Sequence, residues 1–317
     1  MWRIALVSCL VGVVLGGPSV VKSREEIEEF RSFLENSKTD DGFLLKAKMA
    51  SNPKANEWEM SGKYQGDILL DEEQVQGMVE AFAGGRNAYI FPNTKWPQDT
   101  IVYEIDQDFF KQVAAILFAI ADIEEHTCLR FREREDNERV FVRVTGRPDG
   151  CYAHVGYWNT RGVHTLNLTP SAPGTGCFRH TTIVHEWNHI FGFLHMQSTY
   201  NRNDYVQIMW DNILPGMEHN FNKYEQNLVS NLGLPYEYDS CMHYGAYGFS
   251  INGEPTIDFD GVMGQQVYVT DWDWLRINRH YDCPGELFVC NVFLNYFTLP
   301  EIFEEMLRHH DSHFLIV

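Results

Sequence analysis

Residues 185–195 read HEWNHIFGFLH, three histidines and a glutamate in one short stretch. On a helix, His185 and His189 lie one turn apart and project from the same face, so both imidazoles can reach one cation about 2 Å away. Gly192 can take the left-handed conformation that stops a helix and swings the chain round, which delivers His195. Three neutral nitrogen ligands with a fourth position open make the composition of a catalytic zinc site, not of a closed structural one. Glu186 sits beside the ligands, poised to hold a water and accept its proton as it attacks a polarised carbonyl. Peptide-bond hydrolysis is the reaction this constellation suits best. The competing reading, a core helix that happens to carry histidines, needs a separate buried partner for each imidazole. The flanking Trp187, Ile190, Phe191 and Leu194 suit a helix that packs on one face and binds metal with the other.

Elements must hold these residues in place. TTIVHEWNHIFGFLH has helical period, and so does QDFFKQVAAILFAIADIEEHT before it, a long buried helix. FPNTKWPQDTIVYEID, ERVFVRVTG and VHTLNLTP alternate as strands do. A sheet with two helices, a mixed α/β layer, is the economical arrangement. A substrate is expected to lie extended along VHTLNLTP as the edge strand, pairing backbone to backbone. Beyond Asn201 the pattern weakens into loops, with DWDWLRINRHY as a last helix.

The opening residues, MWRIALVSCLVGVVLGG, join one positive charge at Arg3 to an apolar run ending in small residues, the layout of a cleaved secretory signal over 1–16. No later stretch is long and apolar enough to cross a bilayer, so stable membrane insertion is not expected. Residues 17–86 lack cysteine and are rich in charged helix-forming stretches, and they end in AGGRNAY. Two glycines before Arg86 make an exposed, trypsin-cleavable site, so this reads as a removable pro-segment, with cleavage after Arg86 freeing Asn87 and an activating trypsin-like protease as a partner. From Asn87 onward 15 Lys and Arg face 30 Asp and Glu. That balance repels phosphate backbones and excludes nucleic acid as a partner. Export implies an oxidising compartment, where the cysteines left after signal removal are cross-linked more readily than catalytic. One sequon, at Asn167, leaves glycosylation open.

HEWNHIFGFLH followed by CMHYG is similar to the metzincin metallopeptidases and, within them, resembles the astacin family. TCLRF, GCYAHVG, GCFRHTTIVHEWNH, MGQQ and INRHYDC fall in that family's order, and the similarity spans about residues 87 to 283. The resemblance implies an α+β, metzincin-like catalytic domain over 87–283. Its sheet would be twisted and mostly parallel with an antiparallel edge strand, beside two long helices and a loop-rich C-terminal subdomain. One zinc ion per chain is implied, with His185, His189 and His195 as its ligands, Glu186 as base and then acid, and a protein or peptide as substrate. Met242 falls to the turn beneath the metal, and Tyr244 to a displaceable ligand that stabilises the oxyanion. Cys128 would pair with Cys283 and Cys151 with Cys177, while Cys241 and Cys290 stay open between a third bridge and a buried free thiol. In YQGDILL, Asp67 matches the family's inhibitory aspartate, which coordinates zinc and displaces the water.

Departures from the family pattern bear on activation and substrate choice. Met196 stands where a glutamate usually meets the new N-terminus, Thr199, Asn201 and Asn203 where Arg, Asp and Asp are common, and Gln266 where an arginine is frequent. The expected protein is a secreted, extracellular zinc endopeptidase made as a latent zymogen. The alternative is a zinc-containing binding protein of the same fold with weakened catalysis. Residues 284–317 form a tail that lacks the cysteine-rich modules many relatives append.

Overall fold

The computed structural model describes residues 22–40, 42–45, 58–83, 95–106, 112–224, 226 and 229–284. The signal at 1–16, the Arg86–Asn87 junction, Cys290 and all but the first residue of the tail lie outside them.

A six-stranded sheet organises the molecule, in the order β1 (Ile68–Leu69), β5 (Cys151–His154), β6 (Val163–Leu168), β4 (Phe141–Thr145), β2 (Thr100–Ile105), β3 (Arg130–Glu133). Every neighbouring pair is parallel except β5 with β6. The sheet is mostly parallel, as the resemblance implies, and its antiparallel pairing joins β6 to β5, with β1 outside β5 at the margin. Helix α3 (Val113–His126) buries Ile116, Ala119, Ile120 and Ile123, one face at helical spacing. That face joins Ile101, Val142, Val144 and Leu166 of the sheet and Ile183, Val184, Trp187 and Phe191 of helix α4 (His180–Phe191) in one core. Almost all of α4 is buried, so its polar residues need partners inside the protein.

The edge strand departs from expectation. VHTLNLTP forms β6, which is paired on both sides, by β4 and β5, and offers no free edge. The strand at that margin of the larger domain is β5, from GCYAHVG, and β1 of the N-terminal segment pairs with it. Alternation reports that a strand has two faces; it says nothing of how many strands flank it.

The N-terminal segment contributes helices α1 (Arg24–Thr39) and α2 (Glu72–Phe82), each opened by a capping box, Ser23 with Glu26 and Asp71 with Gln74. Phe30, Leu34, Val75, Met78 and Val79 from these helices form a second core with Tyr64, Ile68 and Leu70, completed by Val155 and Tyr224 of the larger domain. The segment therefore shares its core with the domain it covers.

After α4 the chain runs mainly through short turns and a two-stranded ladder, β7 (Gln207–Ile208) with β8 (Ile257–Asp258), to helix α5 (Asp271–His280). The Cys128 and Cys283 sulfurs are bonded, which ties the end of α3 to the region after α5, and Cys151 is bonded to Cys177, which ties β5 to the approach of α4. Cys241 is a buried free thiol. Asn167 is fully buried and its amide donates to the Gly150 and Arg147 carbonyls, so the fold leaves no room for a glycan there.

Candidate metal centre and active site

Helix α4 carries His185 and His189 on one face and stops at Gly192, whose φ of 107° is left-handed and whose N–H donates back to Asn188 and His189 carbonyls. Phe193 and Leu194 then return the chain, and His195 joins the other two rings. Ring centroids lie 4.8 Å apart for His185 and His189, 4.9 Å for His189 and His195, and 5.3 Å for His185 and His195. An alanine at Gly192 would hold φ where L-residues lose about 1–2 kcal/mol. Gly192→Ala is therefore expected to lower unfolding free energy by about that amount and to weaken zinc affinity, both measurable by denaturant titration with and without metal. An unchanged midpoint and affinity would show that the turn does not depend on glycine.

The outer nitrogen of each imidazole is fixed by a carbonyl oxygen. His185 Nδ1 donates to the Cys241 carbonyl at 2.7 Å, His189 Nδ1 to the Phe193 carbonyl at 2.8 Å, and His195 Nδ1 to Gln65 Oε1 at 3.0 Å. Each Nε2 therefore presents a lone pair inward. Those three atoms surround the Asp67 carboxylate, at 2.9 Å from His185, 3.3 Å from His195 and 3.3 Å from His189. Burial pushes the His195 imidazole down to about 4 and so favours its neutral form, while the charge and hydrogen bond of Asp67 pull the other way. All four side chains are buried, and their ligand atoms lie within 4.8 Å of one another. Three ring nitrogens and a carboxylate oxygen converging on one buried point form a donor set that a divalent cation can satisfy. Nitrogen and oxygen donors in this number suit zinc.

Asp67 reaches this point through a tight turn. Gln65 has φ 48° and Gly66 φ 88°, and a Cβ on Gly66 would lie 2.9 Å from the Glu59 Cα. Burial opposes ionisation of Asp67, but the positive charge that His195 and His189 carry when protonated, with hydrogen bonds from His185 and His189, holds its carboxyl well below the ordinary range. Its backbone carbonyl accepts from Ala153 N–H at 2.9 Å, the first bond of the β1–β5 pairing.

Glu186 is fully buried, and neither carboxylate oxygen has a hydrogen-bond partner. Burial, followed by the charge of Asp67, raises its carboxyl well above the usual range. A buried carboxyl without a hydrogen-bond partner beside such a cluster is chemically able to take up and return a proton. Tyr244 is also fully buried; its hydroxyl donates to the Gln65 carbonyl at 2.6 Å, and its N–H to Gln197 Oε1 at 3.1 Å. Met242 is buried in the turn two residues before it, and its carbonyl accepts from Met196 N–H at 2.8 Å. Asp273 holds that turn: its carboxylate accepts from Ser240 Oγ at 2.5 Å and Cys241 N–H at 3.0 Å while also capping α5.

Other features of the site carry little sequence signal. Trp58 stacks on His185 and His195, with centroids 5.0 and 5.4 Å away, and closes the site from the N-terminal side. Its one mark is a tryptophan inside a polar, charged run. Met196 is packed in the core, so the position for which the family resemblance implies a glutamate is apolar here. Gln266 accepts from Arg179 Nη1 at 3.2 Å, and Asn201 accepts from Thr199 and Asn231.

Comparison with known proteins gives a consistent result. The family model for Astacin, a peptidase family, matches residues 88–282. The zinc metalloproteinase nas-4 of Caenorhabditis elegans is 30% identical over 299 residues, 89% of this chain and 91% of that protein. The human meprin A subunit beta is 36% identical over 71% of this chain but only 30% of its own length, so the chain spans under a third of that relative. Among solved structures, high choriolytic enzyme 1, a hatching enzyme zinc-protease from the medaka Oryzias latipes, superposes with TM-score 0.53 at 36% identity, covering 60% of this chain and 93% of that one.

Proposed function

The chain belongs to the astacin family and is a zinc metalloendopeptidase, and from that premise we propose that it is secreted after loss of residues 1–16 and held latent by residues 17–86. Activation follows cleavage after Arg86 by a trypsin-like protease, which frees a catalytic domain beginning at Asn87, with residues 284–317 as a tail. His185, His189 and His195 hold the zinc, and Asp67 occupies the remaining corner in the precursor. The observation that carries this reading is the Asp67 carboxylate among three Nε2 atoms, because a carboxylate at that point excludes the attacking water.

Bound zinc supplies a Lewis acid that polarises the scissile carbonyl and makes water more acidic. The side chains do the rest. Glu186 takes the proton of the attacking water as the new C–O bond forms, and returns it to the leaving nitrogen as the C–N bond breaks. Tyr244 Oη donates to the oxygen on which charge develops, and is free to do so once the Gln65 carbonyl has gone. Met242 lies in the turn that sets Tyr244 and the Cys241 carbonyl beneath His185. Loss of β1 also frees the edge of β5, so that the Ala153 N–H can pair with an extended peptide instead of Asp67.

Among the described residues no helix is long and apolar enough to cross a membrane, and the two disulfides suit an oxidising compartment. Stripping the metal from the activated enzyme with a chelator is expected to remove all but about 1% of its peptidase activity, roughly 2.7 kcal/mol of transition-state stabilisation. One equivalent of zinc should restore it. Activity that persists without metal would contradict the assignment. Trypsin treatment of the full chain, followed by N-terminal sequencing, should give Asn87 at the onset of activity.

A further inference from the structure

Arg161 lies in the turn between β5 and β6, and its side chain is only 5% exposed. Its Nε and Nη2 both donate to Asp71 Oδ2, at 3.0 and 2.7 Å, and Nη1 reaches the Gly156 carbonyl at 3.4 Å. The guanidinium also lies 5.7 Å from the Trp158 ring. Asp71 Oδ1 accepts from Gln74 N–H at 2.8 Å, so one carboxylate caps α2 and pins the N-terminal segment to the catalytic domain. The carboxylates that act on Arg161 are Asp71 and, less strongly, Glu73. Both precede the Arg86 junction and leave with the pro-segment. The imidazoles of this corner cannot replace the guanidinium: burial and then Arg161 itself push His154 well down and His164 to about 3, so both are neutral.

Register places this cation relative to the site. Ile68 pairs with Ala153 and Leu69 with His154, parallel, starting from Asp67 at the metal centre. Asp71 thus stands four residues along the β5 edge from the position a scissile peptide would take, about 13 Å at the rise of an extended strand. A buried guanidinium whose carboxylate has departed is costly until another anion meets it.

We propose that in the activated enzyme Arg161 is a specificity-determining residue that receives an acidic substrate side chain three to four residues from the scissile bond, in the place Asp71 holds in the precursor. This rests on the peptidase reading above. A fork of two N–H donors suits Asp or Glu and discriminates against the amides. The preference is local, since the domain is acidic as a whole and repels acidic groups elsewhere along the cleft.

The test uses the trypsin-activated full chain and peptide pairs that differ only by Glu or Gln, with the exchange scanned at the third and fourth residues on either side of one cleaved bond. The expected result is a preference for Glu of about tenfold or more in kcat/KM, at one of those positions and on one side only. In Arg161→Gln the ratio should fall to near one, in Arg161→Lys it should shrink but keep its direction, and in Arg161→Glu Lys should be preferred to Glu. A wild-type enzyme that cleaves these peptides without preferring Glu at those positions, or a preference unchanged in Arg161→Gln, overturns the inference alone. A wild-type enzyme that cleaves neither these peptides nor a denatured protein overturns the peptidase reading, and this inference with it.

Discussion

After activation, Glu186→Gln should cleave peptides about a thousand- to ten-thousandfold more slowly than the wild type, with zinc still bound at one ion per chain. Removing a positioned general base typically costs 10²–10⁴ in rate, and here one carboxyl is asked to serve both proton transfers, which places the effect at the upper end, roughly 4–5.5 kcal/mol. The substitution keeps side-chain volume and removes only the ability to accept a proton. Stability should not fall, because the wild-type carboxylate is buried with neither oxygen hydrogen-bonded and so contributes no paired interaction that glutamine would lose. A melting curve at or above that of the wild type, with zinc retained and turnover gone, separates lost chemistry from lost fold. Residual activity within tenfold of wild type would remove Glu186 from the reaction.

Asp67→Ala in the uncleaved full chain should raise basal peptidase activity by about tenfold or more without trypsin, since the group proposed to exclude water from the metal is gone. Full activity is not expected. The Tyr244 hydroxyl still donates to the Gln65 carbonyl, β1 still covers the edge of β5, and the Arg161–Asp71 pair still pins the segment. Combining Asp67→Ala with Asp71→Asn should release more activity than either change alone. Hydrolysis assays on precursor protected from trypsin-like cleavage by Arg86→Gln make the comparison clean. A precursor with Asp67→Ala that stays as inert as the parent would show that latency resides in steric cover instead.

The parts legible in the sequence are those governed by local geometry. Helical spacing puts His185 and His189 on one face, and a glycine in position to end that helix is visible as Gly192; the structure brings both, with His195, around one point. The sheet-and-helix layering follows from strand and helix periods in the same way. The free edge of the sheet was not legible, because VHTLNLTP and GCYAHVG differ in how many strands flank them, and pairing is set by residues far away in the chain. Trp58 and Arg161 escaped for the same reason: a stacking tryptophan and a latch whose partner is 90 residues distant leave no local pattern. Asp67 and Tyr244 carried a signal only through family resemblance, since nothing in YQGDILL or CMHYG by itself says that their side chains meet near one cation.

Zinc K-edge absorption on the purified, uncleaved precursor tests the central claim most directly. The account predicts one zinc per chain, three nitrogen scatterers of imidazole type and a carboxylate oxygen near 2.0–2.2 Å, with the oxygen shell altered on removal of residues 17–86 and the three nitrogens retained. A precursor without stoichiometric zinc, a sulfur shell, or an environment that does not change on activation would contradict it.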